Sequence, residues 1–348
     1  MNRKISFSES INEAIYLSMK NDKDVVLLGL GVDDPKGVFG TTLNLHKKFP
    51  NRVFDMPTSE NSMAGFALGL SISKMKPIIV HQRVEFSLLS IEQIFNQISK
   101  WYFMTAGKVN VPMVIRLIIG KGWGQGPQHS QSLETIFSHI PGLKIVVPSN
   151  AYEAKGLLLQ SIRDPNPVIF FEHRWLHETV ANVPKKYFEL NLGKSRYVNR
   201  GKDVTIIAFS YTVLMSLRIK EILNKNNISS EIIDLLSLRP LDTTKIINSA
   251  KKTKKVVIID NGWMQYGVSA EISALINDKL GGKVKVLRVG NADAPIPSTV
   301  TLAKYSYPTL RETLKKISKI CNKKILFGNK DIPNIPADQP DKSFLGPF

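Results

Sequence analysis

The chain has 348 residues, 43% of them hydrophobic, and a formal net charge of +18, so it is long enough for two domains with apolar cores. No apolar run approaches the roughly 20 residues of a membrane span, and the first residues lack the long apolar core of a signal peptide. The single cysteine, Cys321, excludes an internal disulfide and a cysteine-ligated cluster. We therefore expect a cytoplasmic protein with no membrane association.

The positive charge does not indicate a nucleic-acid-binding surface. Lysines occur in short groups, such as residues 251–255 and 322–324, and no stripe of arginines with interleaved aromatic residues is present. Lysines at turns and helix ends are usually solvated, so bulk charge alone is a weak argument for a nucleic acid partner. We expect none.

The predicted elements of the first half alternate between helices and apolar strands. Ser6 and Glu9 have the spacing of a capping box at the start of the first helix. We expect helices at 6–20, 58–73, 86–104, 132–140 and 151–163, and strands near 52–57 and at 24–30, 77–82, 111–118, 143–148 and 167–173. This alternation predicts an α/β fold with a mainly parallel sheet between helices.

A second alternating unit follows a stretch, 177–201, in which the periodicity lapses. Its predicted strands are 203–209, 229–236, 254–260 and 284–289, and its predicted helices are 212–225, 242–252 and 267–280. The domains predicted from this pattern are 1–185, a linker 186–200, a second domain 201–325, and an irregular, proline-containing tail 326–348.

Glu60 opens the predicted helix 58–73, which consists mostly of small and apolar residues. An acid in the first turn favours the helix dipole and is ordinarily solvated. Next to a surface of glycine and alanine, it could instead be buried against a partner or a ligand. Both interpretations stay open at this level.

The segment "GKGWGQGPQHSQS", residues 120–132, follows a predicted strand and is called the glycine-rich loop below. It lacks the spacing of a phosphate-binding loop, so we expect an active-site rim at the carboxyl end of a parallel strand. His129 in this loop could transfer protons, although a lone loop histidine is more often a surface group. By default, Phe86 would belong to the core and Glu85 would be solvated.

Three stretches carry a resemblance to a known family: "RVFDMPTSENSMAGFALGL", "VEFSLLSIEQIFNQISKWYFM" and "GPQHSQSLETIFSHIPGLKIVVPSN". They resemble the β subunit of the thiamine diphosphate-dependent 2-oxo acid dehydrogenases for pyruvate, branched-chain 2-oxo acids and acetoin. The resemblance covers residues 4 to about 315. It implies a pyrimidine-binding domain followed by a transketolase C-terminal domain.

The resemblance also implies roles for individual residues. The family glutamate that matches Glu60 hydrogen-bonds the N1′ nitrogen of the cofactor's aminopyrimidine ring, and Thr58 is counted with it as cofactor-binding. The ring that matches Phe86 stacks on the pyrimidine. The histidine that matches His129 lies at the active-site mouth, so Glu60 and His129 are the candidate catalytic residues.

The same family holds a structural potassium ion, mostly through backbone carbonyls. The matching ligands here are Met113, Ser161, Ile162, Asp164 and Asn166. A hard cation held by carbonyl oxygens and one carboxylate is reasonable chemistry. The alternative is a helix-ending turn in which Asp164 and Asn166 bond the local backbone.

The sequence contains no "GDG" followed by paired asparagines, the motif that binds the Mg²⁺–diphosphate end of the cofactor in this family. The resemblance therefore implies an α subunit that supplies this motif, in a heterotetramer of two α and two β subunits.

The acceptor of the reaction stays open between a lipoyl group and another acceptor. Residues 301–348 contain nine Lys/Arg and four Asp/Glu, a net charge of 9 − 4 = +5. Like charges oppose docking of a basic domain of a lipoyl acyltransferase. The alternatives to the dehydrogenase function are a subunit of a split transketolase and a catalytically silent assembly subunit.

Overall fold

The computed structural model describes residues 3–342; residues 1–2 and 343–348, the last six of the predicted tail, lie outside the described residues. The strands are β1 (Arg3–Ser6), β2 (Val25–Gly29), β3 (Val53–Asp55), β4 (Lys76–His81), β5 (Val114–Ile119), β6 (Lys144–Val146), β7 (Val168–His173), β8 (Val180–Val183), β9 (Arg196–Asn199), β10 (Val204–Ala208), β11 (Ser230–Asp234), β12 (Ser237–Arg239), β13 (Lys255–Trp263) and β14 (Lys285–Asn291).

The α-helices are α1 (Phe7–Asn21), α2 (Leu45–Lys48), α3 (Glu60–Ile72), α4 (Trp101–Met104), α5 (Glu134–Ser138), α6 (Ala151–Arg163), α7 (Tyr211–Lys225), α8 (Thr243–Thr253), α9 (Val268–Leu280), α10 (Val300–Ser306) and α11 (Leu310–Cys321). Within residues 3–342, no helix combines the length and hydropathy needed to cross a lipid bilayer. The first helix is capped as predicted, since the Glu9 N–H donates to Ser6 Oγ and the Ser6 N–H donates to the Glu9 carboxylate.

The first sheet has seven strands in the order β12-β6-β7-β5-β4-β2-β3, and only β12 is antiparallel to its neighbour. Strands β2, β5 and β7 are buried along their whole length because helices cover both faces of the sheet. Parallel strands bring their carboxyl ends to one edge, and the segments that follow β3, β4 and β5 carry Glu60, Phe86 and His129. The predicted α/β fold class is confirmed.

The second sheet has five strands in the order β14-β13-β10-β11-β9, with β9 antiparallel to β11. Residues 186–200, predicted as a linker, include β9, so the second sheet begins before residue 201. Strand β12 follows β11 in the chain but pairs with β6 of the first sheet. One hydrophobic cluster also runs from Phe137 and Ile145 to Ile207 and Ile272, so the two units share a core.

The prediction of one long helix over 86–104 is wrong. The chain forms instead a 3-10 helix, Val84–Ser90, a π-helix, Gln93–Ile98, and the short helix α4. In the 3-10 helix, Ser87 Oγ donates to the Val84 carbonyl at 2.6 Å and Ser90 Oγ donates to the Ser87 carbonyl at 2.9 Å. Serine bonds of this kind compete with regular α-helical bonds, and the buried side chains repeat every three residues rather than every three or four.

The described part of the tail, residues 326–342, contains neither helix nor strand and lies across the glycine-rich loop. The Trp123 N–H donates to the Asp338 carbonyl at 3.0 Å. A Cβ atom at Gly122, where φ is +96°, would lie 1.7 Å from the same carbonyl oxygen, so only glycine permits this contact. The tail therefore reaches the loop that carries His129.

Candidate active site

Glu60, Thr58 and Phe86 line one small pocket at the carboxyl edge of the first sheet. Glu60 is the first residue of α3, where exposed backbone N–H groups favour a carboxylate. It is half-buried, and among residues 3–342 its carboxylate has no hydrogen-bond partner. The rest of the pocket is mostly apolar and is formed by Leu30, Pro57, Met63, Val80, His81 and Gln82.

The groups that line this pocket match those that the pyrimidine end of thiamine diphosphate needs. A flat aminopyrimidine needs an aromatic face on which to stack and a carboxyl group at its ring nitrogen, and Phe86 and Glu60 offer these two groups from one pocket. The carboxylate lacks a protein partner, which leaves it available for a ligand.

His81 is a pocket residue that the sequence analysis did not identify. It is the last residue of β4, and its side chain is almost completely buried. Its Nε2 atom has no hydrogen-bond partner, and burial lowers its pKa to about 4. His81 is therefore neutral at physiological pH. A histidine at the end of an apolar strand gives no distinctive sequence signal.

His129 lies beside Phe86, with ring centroids 5.6 Å apart in an edge-on arrangement. Its Nδ1 atom contacts the Gln128 carbonyl, which can only accept a hydrogen bond, so Nδ1 carries the proton in the neutral ring. Nε2 is then the atom that can take up or release a proton. The structure thus brings His129 next to the pocket that contains Glu60.

The sequence context predicts that Glu85 is solvated, but the structure differs from this prediction. It is half-buried, and its Oε1 atom accepts a hydrogen bond from the Gln131 N–H at 2.8 Å. Burial raises the pKa of the Glu85 carboxyl, while the Gln131 N–H and the charges of Arg83 and His129 act in the opposite direction. Glu85 therefore belongs to the surroundings of His129.

Glu134, five residues after His129, is buried at the start of α5 against the second domain. Burial raises its pKa to about 8; the charge of Asp260 acts in the same direction, and the Asn261 side chain opposes it. Between about pH 4.5 and about pH 8, Glu134 is thus protonated in the folded protein but ionised in the unfolded chain. Glu134 lowers stability as the pH rises from about 4.5 through about 8.

We expect Glu134→Gln to unfold near the wild-type temperature at pH 5 and several degrees higher at pH 8.5. The glutamine never ionises, so the variant avoids the cost of charging a buried carboxyl group. Each tenfold difference in proton affinity between the folded and unfolded states is worth about 1.4 kcal/mol. Scanning calorimetry between pH 5 and 9 measures the difference. The exposed Glu271, changed to glutamine, is the control and should show no such trend. If the unfolding temperatures of Glu134→Gln and the wild type differed by the same amount at every pH, Glu134 would not be a buried, neutral acid in the folded protein.

Of the five residues expected to hold potassium, Ser161 and Ile162 lie in the last turn of α6, and Asp164 and Asn166 lie in the turn that follows it. The Val111 N–H donates to the Pro165 carbonyl and the Val168 N–H to the Met113 carbonyl, which brings residues 111–113 to this turn. The Ser161 carbonyl accepts from the Asp164 N–H. The full ligand set that the family resemblance implies is Met113, Ser161, Ile162, Asp164 and Asn166.

The charge of Asp164 is already balanced within the chain. Its carboxylate contacts Lys144 Nζ at 2.5 Å and accepts the Asn166 N–H at 2.9 Å. A cation at this turn would rely on carbonyl oxygens. Among residues 3–342, no group of three or more His, Cys, Asp or Glu side chains is arranged to hold a metal ion.

Comparison with known proteins agrees with the observed fold. Residues 3–178 match the transketolase pyrimidine binding domain, and residues 193–312 match the transketolase C-terminal domain. The solved structure of a split-gene transketolase, an inactive β4 tetramer, superimposes with a TM-score of 0.75 at 21% identity, over 91% of this chain and 98% of that one. The chain therefore has the transketolase-like fold of thiamine diphosphate enzymes.

Curated relatives indicate a more specific family within the thiamine diphosphate enzymes. The β subunit of acetoin:2,6-dichlorophenolindophenol oxidoreductase of Cupriavidus necator is 37% identical over 321 residues, 89% of this chain and 95% of the relative. The mitochondrial pyruvate dehydrogenase E1 β subunit of Pisum sativum is 35% identical, over 93% of this chain and 92% of the relative. The pyruvate dehydrogenase E1 β subunit of Rickettsia felis is 34% identical, over 91% of this chain and 98% of the relative. The chain belongs to this family of dehydrogenase E1 β subunits.

Proposed function

We propose that the chain is the β subunit of a thiamine diphosphate-dependent enzyme that decarboxylates a 2-oxo acid and transfers the resulting acyl or aldehyde unit. The observation that carries this proposal is the shared pocket of Glu60 and Phe86, with His129 beside it. The family to which the chain belongs supports the same activity.

The chemistry that thiamine diphosphate supplies when bound is a carbon nucleophile and a sink for the electrons released on decarboxylation. Glu60 would share a proton with the pyrimidine nitrogen, and Phe86 would fix the plane of the pyrimidine ring and exclude water. His129 would hold or release a proton at Nε2, on the side from which a substrate enters. These are binding, orienting and proton-transfer roles of the protein.

The chain needs an α subunit, because its sequence lacks the motif for the Mg²⁺–diphosphate end of the cofactor. Phe66 on α3, Leu89 on the 3-10 helix and Phe103 on α4 are exposed by 52%, 65% and 85%. Glu60 of the same α3 and Phe86 of the same 3-10 helix line the pocket. Apolar side chains of this size at the surface are typical of a protein–protein interface. We propose that this surface faces a partner subunit in a two-plus-two heterotetramer.

The isolated chain should bind thiamine diphosphate at least a hundredfold more weakly than the assembled enzyme, a difference of about 2.7 kcal/mol. The reason is that only the pyrimidine end meets its binding residues in this chain. Titration calorimetry in the presence of Mg²⁺, first on the chain alone and then with its α subunit, measures both affinities. Tight Mg²⁺-dependent binding by the lone chain would contradict the division of the site between two subunits.

Two further parts of the proposal concern ions and the acceptor. A potassium ion at the turn after α6 would be held by carbonyl oxygens, because Lys144 already pairs with Asp164. The acceptor is either a lipoyl group or another molecule, and the net charge of +5 over residues 301–348 argues against capture by a basic docking domain. We also propose that the protein is cytoplasmic.

A further inference from the structure

We propose that Glu85 and Arg83 are positioning residues that hold the glycine-rich loop so that His129 faces the pocket. This inference rests on the proposed function of His129 as a proton-transfer group. Neither the sequence pattern nor the similarity to known proteins assigns a role to Glu85 or Arg83.

The two residues contact the loop on either side of His129. Glu85 Oε1 accepts the Gln131 N–H at 2.8 Å, two residues after His129. The Arg83 guanidinium donates to the side-chain oxygen of Gln125, four residues before His129. The loop segment that contains His129 is therefore held at both ends.

The element that supplies these contacts is itself fixed. Arg83 is the residue before the 3-10 helix Val84–Ser90 and is only 7% exposed. Val84 and Ser87 are completely buried in the same helix. Phe86 also lies in this helix, so one continuous segment, residues 83–90, carries both the pocket's aromatic ring and the two loop contacts.

The loop needs such contacts, because its own backbone does not form regular structure. Gly122, Trp123, Gly124 and Gly126 have positive φ angles, and residues 120–133 contain no helix or strand. Ordering an irregular residue costs roughly 1–2 kcal/mol of conformational entropy. The Asp338 carbonyl holds the first part of the loop through the Trp123 N–H, and Ser298 lies close to Gly124 and Gly126. Arg83 and Glu85 add side-chain hydrogen bonds on either side of His129.

The test compares Glu85→Ala with Glu85→Gln in the enzyme assembled with its α subunit. The glutamine oxygen can still accept the Gln131 N–H, whereas alanine cannot. Hydrogen–deuterium exchange of the peptides that cover residues 120–132, read by mass spectrometry, reports the order of the loop. Steady-state kinetics with a 2-oxo acid and an artificial electron acceptor report kcat and KM.

We expect Glu85→Ala to raise exchange at residues 126–132 about tenfold or more and to lower kcat by a similar factor. Affinity for thiamine diphosphate should change little, and Glu85→Gln should stay close to wild type in every measurement. Glu92→Ala is the matched control, because Glu92 is exposed two residues after the 3-10 helix and, among residues 3–342, its carboxylate bonds only the side chains of Gln93 and Gln97.

Gln125→Ala tests the second contact at an exposed side chain, where the substitution should not prevent folding. It should raise exchange mainly in residues 122–128. Unchanged exchange of the loop in both Glu85→Ala and Gln125→Ala would overturn the proposal, whatever happens to activity. Raised exchange with an unchanged kcat would overturn it as well, because the loop order would not matter for the reaction.

These outcomes are separate from a failure of the proposed function. If Glu60→Gln left the reaction intact, the pyrimidine-binding role would fall, while the exchange measurements on the loop would still decide whether Glu85 and Arg83 hold it.

Discussion

Glu60→Gln is expected to lower turnover of the assembled enzyme by roughly 10²- to 10⁴-fold, the range typical of a lost acid–base group. Glutamine can still contact the pyrimidine nitrogen, but it cannot exchange a proton with it. Folding should be unaffected, because Glu60 is half-buried at the start of α3 and its carboxylate bonds no other group among residues 3–342.

Decarboxylation of a 2-oxo acid, followed with an artificial electron acceptor, measures the effect. Proton exchange at the thiazolium carbon of bound cofactor, followed by NMR, tests the cause directly. Glu92→Gln, an exposed change on the same domain, should behave as wild type in both measurements. Wild-type proton exchange in Glu60→Gln would show that Glu60 does not have this role.

The features that sequence could predict are local ones. The capping box of Ser6 and Glu9 depends on two residues three positions apart, and it is present. The carboxylate of Glu60 opens a helix as predicted, since only a short stretch determines where α3 begins. The alternation of elements was sufficient to predict the parallel sheets, because each strand and helix carries its own periodicity.

The features that sequence could not predict depend on distant contacts. Glu85 meets Gln131, 46 residues away, and β12 joins a sheet formed by the other half of the chain. The helix predicted over 86–104 failed because serine side chains bond the backbone within a tightly packed segment. His81 gave no signal, because its burial against the pocket depends on how β4 lies in the sheet.

The second large effect is expected on stability, when a buried ion pair beneath the glycine-rich loop is broken. Arg116 on β5 and Glu172 on β7 are both fully buried, and Arg116 Nη2 donates to Glu172 Oε2 at 2.9 Å. Burial opposes ionisation of Glu172, but the charge of Arg116 and the neighbouring His177, whose Nε2 atom lies 3.5 Å from Glu172 Oε2, keep its pKa below the ordinary value. The pair joins adjacent strands close to the point where the loop leaves β5.

Arg116→Met is expected to destabilise the protein by about 3–5 kcal/mol, because it leaves a buried carboxylate without its positive partner. Arg116→Met combined with Glu172→Met should recover most of that loss, because it removes both charges and keeps an apolar filling of similar shape. Urea unfolding of the three proteins at pH 7 gives the comparison.

The pH dependence separates this explanation from simple loss of packing. In the wild type, the depressed pKa of Glu172 contributes stability that is present above the ordinary value of 4.5 and is lost as the pH falls through the folded value. In Arg116→Met the carboxyl has lost its main stabilising charge, so acidification should narrow the gap to wild type by protonating Glu172. A gap that stays constant down to pH 4, or a double variant no more stable than Arg116→Met, would mean that lost side-chain packing rather than an unpaired charge causes the instability.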